Sequence, residues 1–251
     1  MFRKLKISKK KYQDKRKIKI KKIIGTSIID WEGMIISTLY VGGCNFRCPF
    51  CYNTDLVLDS HSLPDIPEEN IFSFLVERKS FLDGICLSGG EPTLYADITE
   101  FLKIIRSHNL KIKLDTNGSQ SAILEKIIEQ DLVDYIAMDI KNCLRTEDYI
   151  RTIGVQDEKI IPKIKNSIEL IMDSGVNYEF RTTIVPGFHD AEMIESIAKD
   201  IKGAQKYILQ NFLQSEEMLD PSLKGIKLIS ENRMKEILKR VQPHVQECKI
   251  R

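Results

Sequence analysis

Cys44, Cys48 and Cys51 fall within eight residues of one another, inside Gly42-Gly43-Cys44-Asn45-Phe46-Arg47-Cys48-Pro49-Phe50-Cys51-Tyr52-Asn53, and account for half of the chain's 6 cysteines. Three thiolates gathered by one tight loop can hold three corners of a cuboidal iron-sulfur cluster and leave one iron without a protein ligand. An open iron is a place for chemistry. A fourth thiolate would close the site and indicate a structural metal or a simple electron carrier. A zinc ion held by the same three cysteines and a further donor such as His189 is the alternative that the residue types allow. The clustering argues for reduced metal-binding thiolates rather than disulfides, and so for a reducing compartment. Cys86, in an apolar run, reads as a small core residue, and Cys143 and Cys248 as free thiols.

Three further stretches supply polar groups and glycines. In Ser88-Gly89-Gly90-Glu91-Pro92-Thr93 the paired glycines let the backbone approach a ligand where a Cβ would obstruct it. Asp115-Thr116-Asn117-Gly118 suits sugar hydroxyls, a carboxylate or a cation, although an ordinary Asx turn has the same composition. In Met138-Asp139-Ile140-Lys141, Asp139 and Lys141 alternate along a strand end and therefore point to one side. Arg181 is expected to form an internal salt bridge. His189 and Asp190 read as polar surface, and no side-chain acid/base catalyst is expected.

The elements that must carry these stretches alternate. Apolar, β-rich runs at 34–41, 84–87, 111–115, 135–139, 178–185 and 207–210 read as strands. Helical patterns lie at 67–79, at 97–105 (with Asp97 and Glu100 placed as a capping box), around 122–130, at 164–172 before Gly175, at 191–201 and at 230–241. The segment 247–251 closes the chain. Six strands alternating with helices argue for an α/β fold with a parallel sheet and right-handed crossovers. All four stretches then sit at strand C-terminal ends, where ligands collect in such folds.

The length of 251 residues suits one α/β domain. No apolar run approaches the roughly 20 residues that span a bilayer, and the basic N-terminus lacks the apolar segment of a secretion signal, so a soluble, cytoplasmic protein is expected. The net charge of +2 hides a division. Residues 1–22 hold twelve Lys or Arg against Asp14, a balance of +11, which leaves 26 basic and 35 acidic residues, a balance of −9, in 23–251. The expected organisation is a basic N-terminal extension over 1–22, with Ile18, Ile20 and Ile23 leaving room for a short edge strand, and a core domain over 23–251. Nucleic acid is not an expected partner except through that extension.

The C-x3-C-x2-C loop, with an aromatic residue before its third cysteine and the three later stretches in this order, resembles the radical S-adenosylmethionine (SAM) superfamily. Within it, the chain is most similar to the activating enzymes of glycyl radical enzymes, the anaerobic ribonucleoside-triphosphate reductase group in particular. The lead-in Ser27-Ile28-Ile29-Asp30-Trp31-Glu32-Gly33 carries the same likeness, which covers residues 23–190. The resemblance implies a partial (β/α)6, TIM-like barrel, which periodicity alone does not separate from a doubly wound sheet. It implies one 4Fe-4S cluster on Cys44, Cys48 and Cys51, with SAM chelating the open iron. It also implies SAM contacts from Phe50, Tyr52 and Asn53 at the adenine, from Gly89, Gly90 and Glu91, from Asp115, Thr116 and Asn117, and from Asp139 and Lys141. A cation near Asp115 and Asp139 is left open. Some relatives place a SAM-contacting His where this chain has Met193 and Ile194, so that contact is not carried over. The implied activity is oxygen-sensitive, reductive SAM cleavage to a 5′-deoxyadenosyl radical, fed by a low-potential donor such as flavodoxin or ferredoxin. A glycyl radical enzyme would be the protein substrate. A relative acting on a small molecule, of the 7-carboxy-7-deazaguanine synthase kind, and a non-catalytic iron-sulfur or zinc module are the alternatives.

Overall fold

Short β-branched strands separated by amphipathic helices pair here in the order in which they are made. The structure, a computed structural model, describes residues 17–215 and 217–251. Eight strands form one sheet in the order β1 (Ile20–Ser27), β2 (Ile36–Val41), β3 (Gly84–Gly89), β4 (Lys111–Thr116), β5 (Tyr135–Asp139), β6 (Asn177–Ile184), β7 (Lys206–Asn211) and β8 (Glu247–Ile250). From β2 to β8 every pairing is parallel, and β1 adds antiparallel to β2. Helices α1 (Thr54–Leu58), α2 (Glu68–Arg78), α3 (Ile98–Arg106), α4 (Ser121–Glu129), α5 (Thr146–Ile153), α6 (Ile160–Asp173), α7 (Ala191–Asp200) and α8 (Glu231–Val241) fill the connections. Among the described residues, no helix is long and apolar enough to cross a membrane.

The period of two divides each strand between two environments. Ile112, Leu114, Ile136, Met138 and Phe180 are buried in one core with the helix residues Phe101, Leu102, Leu124, Ile127, Ile164 and Ile168. Their neighbours Lys113, Asp115, Asp139, Glu179 and Arg181 turn to the other face and pair with one another. Residues from β2 to β7 line a single cavity, so the sheet is curled into a partial barrel. No β1–β8 ladder closes it among the described residues. Across that gap Glu32, in the β1–β2 turn, meets Lys206 at 3.7 Å and Lys249 at 3.4 Å.

The six expected strands are β2 to β7. β8 extends the parallel sheet, and the edge strand allowed for near residue 20 is β1, whose Ile20 is buried. The boundary drawn at residue 22 therefore falls inside β1, while residues 1–16 of the expected extension lie outside the described residues. α6 begins at Ile160 rather than 164 because Pro162 lies in its first turn, where a missing N–H costs no helical bond. The expected capping box at Asp97 does not form. Asp97 instead accepts the Ile18 N–H on both oxygens, at 2.9 and 3.1 Å, and so anchors the start of β1. Glu100 pairs with Lys103.

Candidate active site

The loop after β2 is held by its neighbours before any ligand is considered. Gly43 donates its N–H to Leu56 O at 2.7 Å, Arg47 donates its N–H to Ile153 O at 2.7 Å, and Arg47 Nη1 caps the carbonyls of Cys44 and Phe46. Cys44, Cys48 and Cys51 consequently line one cavity of about 420 Å³ at the C-terminal ends of the strands. Phe50, Tyr52, Asn53, Gly89, Gly90, Glu91, Asp115, Thr116, Asn117, Asp139 and Lys141 line the same cavity. A larger cavity of about 720 Å³ opens beside Trp31, Tyr135 and Asn177, away from the cysteines. It is bordered by the starts of β5 and β6, the ends where ligands do not collect in parallel α/β sheets.

Burial pushes the Cys44 thiol up to about 11 and the Cys48 thiol up to about 12, and raises that of Cys51, while the Lys141 ammonium pulls all three back. Such thiols become thiolates when a metal's positive charge arrives. Among the described residues no group of three or more His, Cys, Asp or Glu is gathered to hold a metal ion. A single zinc would require sulfurs about 2.3 Å from one point. A cuboidal cluster attaches each thiolate to a different iron, so the donor chemistry of three separate thiols on one cavity wall fits it. His189 cannot complete a zinc site. Its Nδ1 accepts the Val185 N–H at 3.0 Å and its Nε2 lies 2.7 Å from Lys141 O. The expectation of polar surface for His189 is corrected: it is buried, its pKa is lowered by burial, and it fixes the turn that carries Lys141. Asp190 caps α7, accepting the Met193 N–H.

The glycine pair serves the cysteine loop as well as the cavity. A Cβ on Gly90 would lie 1.8 Å from Gly43 O, and Gly89 has φ +113°, a region that L side chains rarely adopt. The N–H groups of Gly90 and Glu91 are taken by Val41 O and Gly43 O, which leaves carbonyl oxygens as the groups this turn can offer an ammonium.

Glu91 lines the cavity, yet its carboxylate is engaged within the protein. It is 1% exposed. Oε1 accepts from Thr93 N–H and from the hydroxyls of Thr93 and Thr116, and Oε2 accepts from Asn117 N–H at 2.7 Å. Burial raises its pKa while these four donors pull it down. The residue staples the loop after β3 to the loop after β4. Asn117 continues the staple, with Nδ2 on Asn45 Oδ1 at 3.0 Å and 3.9 Å from Cys44 Sγ. Within that second motif Asp115 keeps an open valence. Its Oδ1 lies 3.3 Å from Lys113 Nζ, but no donor is aligned on it.

Asp139 accepts from Arg181 Nε at 2.8 Å and Lys141 Nζ at 2.9 Å, and the two cations hold its carboxyl well below the usual range against burial. Arg181 also reaches Asp115 at 3.3 Å, so its internal salt bridge is present as expected. Phe50 meets Phe188 edge-on, with centroids 6.0 Å apart. Tyr52 stacks on Phe212, and its hydroxyl bonds both the carbonyl and the N–H of Leu213, tying the loop after β7 to the cysteines. Asn53 Nδ2 reaches Gly89 O at 3.2 Å. Tyr40, Ser88, Thr183 and Gln210 also face the cavity and were not expected there. Of these, Thr183 is marked by the alternation of Glu179, Arg181 and Thr183 along its strand, whereas apolar Ile208 two places before Gln210 gives no such signal.

Residues 38–199 match the Radical SAM superfamily. A Methanocaldococcus jannaschii protein named as a glycyl-radical enzyme activating enzyme is 33% identical over 234 residues, 91% of this chain and 94% of that one. The pyruvate formate-lyase-activating enzyme of Clostridium pasteurianum is 24% identical over 88% of this chain and 95% of its own length. A GTP 3′,8-cyclase of Thermococcus kodakarensis is 29% identical over 62% of this chain and 50% of its own. Among solved structures, SuiB of Streptococcus suis bound to S-adenosylmethionine superposes with a TM-score of 0.61 at 15% identity, over 83% of this chain and 48% of that one. With the cysteine loop on the cavity wall and the match running from β2 to α7, the chain belongs to the radical SAM superfamily.

Proposed function

We propose that this chain activates a glycyl radical enzyme, generating a radical on one backbone glycine of a partner protein such as an anaerobic ribonucleoside-triphosphate reductase or a pyruvate formate-lyase-like enzyme. The observation that carries the reading is the convergence of the cysteine loop and three strand-end motifs on one cavity. The similarity along nearly the whole length of an activating-enzyme relative supports the choice of substrate. When bound, a 4Fe-4S cluster and SAM supply one-electron cleavage of the sulfonium S–C5′ bond, giving methionine and a 5′-deoxyadenosyl radical that abstracts hydrogen. Cys44, Cys48 and Cys51 would hold the cluster. Lys141, Asp139, Asp115 and the carbonyls of the Gly89-Gly90 turn offer charges of both signs to the amino and carboxylate ends of SAM. Phe50 walls the site from water beside Phe188. The electron comes from a low-potential donor such as flavodoxin or ferredoxin, and the setting is anaerobic and cytoplasmic.

The match to a GTP 3′,8-cyclase favours a second reading, a radical SAM enzyme acting on a small molecule. That relative is about twice as long as the stretch it shares with this chain, which weakens the second reading. The test is anaerobic reconstitution, reduction with dithionite and assay of 5′-deoxyadenosine, with Cys48→Ala alongside. Cleavage that requires Cys48, together with an electron paramagnetic resonance doublet on an added glycyl radical enzyme, is the expected result. Cleavage accompanied by consumption of GTP, with no radical on protein, would establish the second reading instead.

A further inference from the structure

Toward the mouth of the cavity the lining changes from charged to neutral. Along β6 the inward positions run Glu179, Arg181, Thr183 toward the C-terminal end, so Thr183 lies two residues, about 7 Å, beyond Arg181. Gln210 stands opposite Thr183 in register on β7, and the Thr183 hydroxyl lies 3.4 Å from Gln210 Oε1. Gln210 Nε2 has no hydrogen-bond partner among the described residues. One step below, Arg181 faces the apolar Ile208, so β7 brings no charge to this cavity. Three residues beyond Gln210, Leu213 is tied to the Tyr52 hydroxyl through both its carbonyl and its N–H, which draws the end of β7 toward the cysteine loop. Leu213 is 65% exposed and Tyr52 41%, so apolar surface adjoins the neutral pair on the outside.

We propose that Gln210, oriented by Thr183, holds the backbone of the glycine-bearing segment of a partner protein, its carboxamide donating to a peptide carbonyl and accepting a peptide N–H. The inference rests on the activation reading above. A glycine segment brings no charge and no side chain, only backbone groups that lose water on entering and need partners. A carboxamide offers a donor and an acceptor on one plane, which matches a peptide group. A triphosphate would instead need an open cation. Lys141 and Arg181 are paired with Asp139 and Asp115, so none is on offer to it from these strand ends. The exposed Leu213 beside Tyr52 suits the surface of a macromolecule rather than a small polar substrate.

The test compares the full chain with Gln210→Leu and Gln210→Glu, each carrying reconstituted cluster and SAM. An anaerobic ribonucleoside-triphosphate reductase and a pyruvate formate-lyase are the probe proteins, and GTP is the small-molecule probe. Leucine removes donor and acceptor, and glutamate keeps the shape and the accepting oxygens without the donor, so the glutamate chain carries the test if the leucine chain does not fold. In both, the glycyl radical formed per 5′-deoxyadenosine should fall roughly tenfold, with KM for the probe protein rising more than kcat falls. A ratio unchanged in either folded variant would overturn the assignment and leave the activation reading standing. Radical and 5′-deoxyadenosine falling in proportion would also overturn it, and would return Gln210 to the SAM side of the cavity. SAM cleavage by the unaltered chain with GTP consumed and no radical on either probe protein would overturn the activation reading, and the assignment with it.

Discussion

Glu91→Gln separates a residue that staples the site from one that touches its ligand. The carboxylate accepts the Thr93 N–H at 3.1 Å on one oxygen and the Asn117 N–H at 2.7 Å on the other. An amide has one acceptor end, so in either orientation a backbone N–H is stranded against the new NH2 group. The threonine hydroxyls can turn to accept, but a peptide N–H cannot. A buried unsatisfied donor costs about 1–3 kcal/mol, and the facing NH2 hydrogen adds a similar term, so the loss is about 3 kcal/mol. For a chain of this size that lowers the melting temperature by roughly 6–12 °C. The assays are a thermal melt of the metal-free protein and calorimetric SAM affinity of the reconstituted one. A melting temperature within about 2 °C of the unaltered chain, alongside a tenfold loss of SAM affinity, would refute the staple and return Glu91 to the ligand contacts.

Gly90→Ala should be costlier still, because its Cβ would lie 1.8 Å from Gly43 O and neither backbone can yield without moving Cys44. Destabilisation of about 3 kcal/mol or more and a fall in iron bound per chain are expected by melting and iron assay, and full iron content would count against this reading of the turn. Burial lowers the pKa of His189 below its unfolded value of about 6.5, so the unfolded chain takes up the proton first. Its contribution is therefore intact above pH 6.5 and lost as pH falls, by up to about 1.4 kcal/mol per unit. Urea titrations from pH 7.5 to 5 should show that slope, and a His189→Gln chain should show a flatter one. Asp97→Ala should free the Ile18 amide to exchange and cost about 1–2 kcal/mol, with Glu100 unaffected because it pairs with Lys103.

The strand ends were legible in the sequence because each parallel strand buries an apolar face and then breaks into glycines and polar residues where it meets the cavity. Gly84 to Ser88, Lys111 to Asp115 and Tyr135 to Asp139 announce both the strand and its functional end. The residues that decide what the cavity presents were less legible, because their partners are remote in the chain. Thr116 and Asn117 engage Glu91 across about 25 residues, and Ile18 finds Asp97 across 79. A local pattern therefore reads Asp97 as a helix cap, although the Ile18 amide has the stronger claim on it, and the contact that the family resemblance implies for Glu91 gives no sign of the Thr93, Thr116 and Asn117 donors that engage its carboxylate.

His189 shows the same competition from the other side. A loop histidine after Pro-Gly looks solvated until β5 and β6 pair, with Asp139 opposite Arg181, and the turn after β5 delivers Lys141 O to its ring. The interior charges follow from that pairing as well. Asp139 and Arg181 lie in register on the inward face, so each pays for the other's burial, and their neighbours Asp115 and Lys141 are drawn into one network. Replacing Asp139 by an apolar residue would leave the buried Arg181 with only its longer contacts to Asp115 and Glu179, a penalty of up to about 3 kcal/mol, whereas replacing Arg181 would leave the half-buried Asp139 still paired with Lys141. The pattern legible as isolated acids and bases on separate strands is thus a single unit, assembled only when the sheet curls.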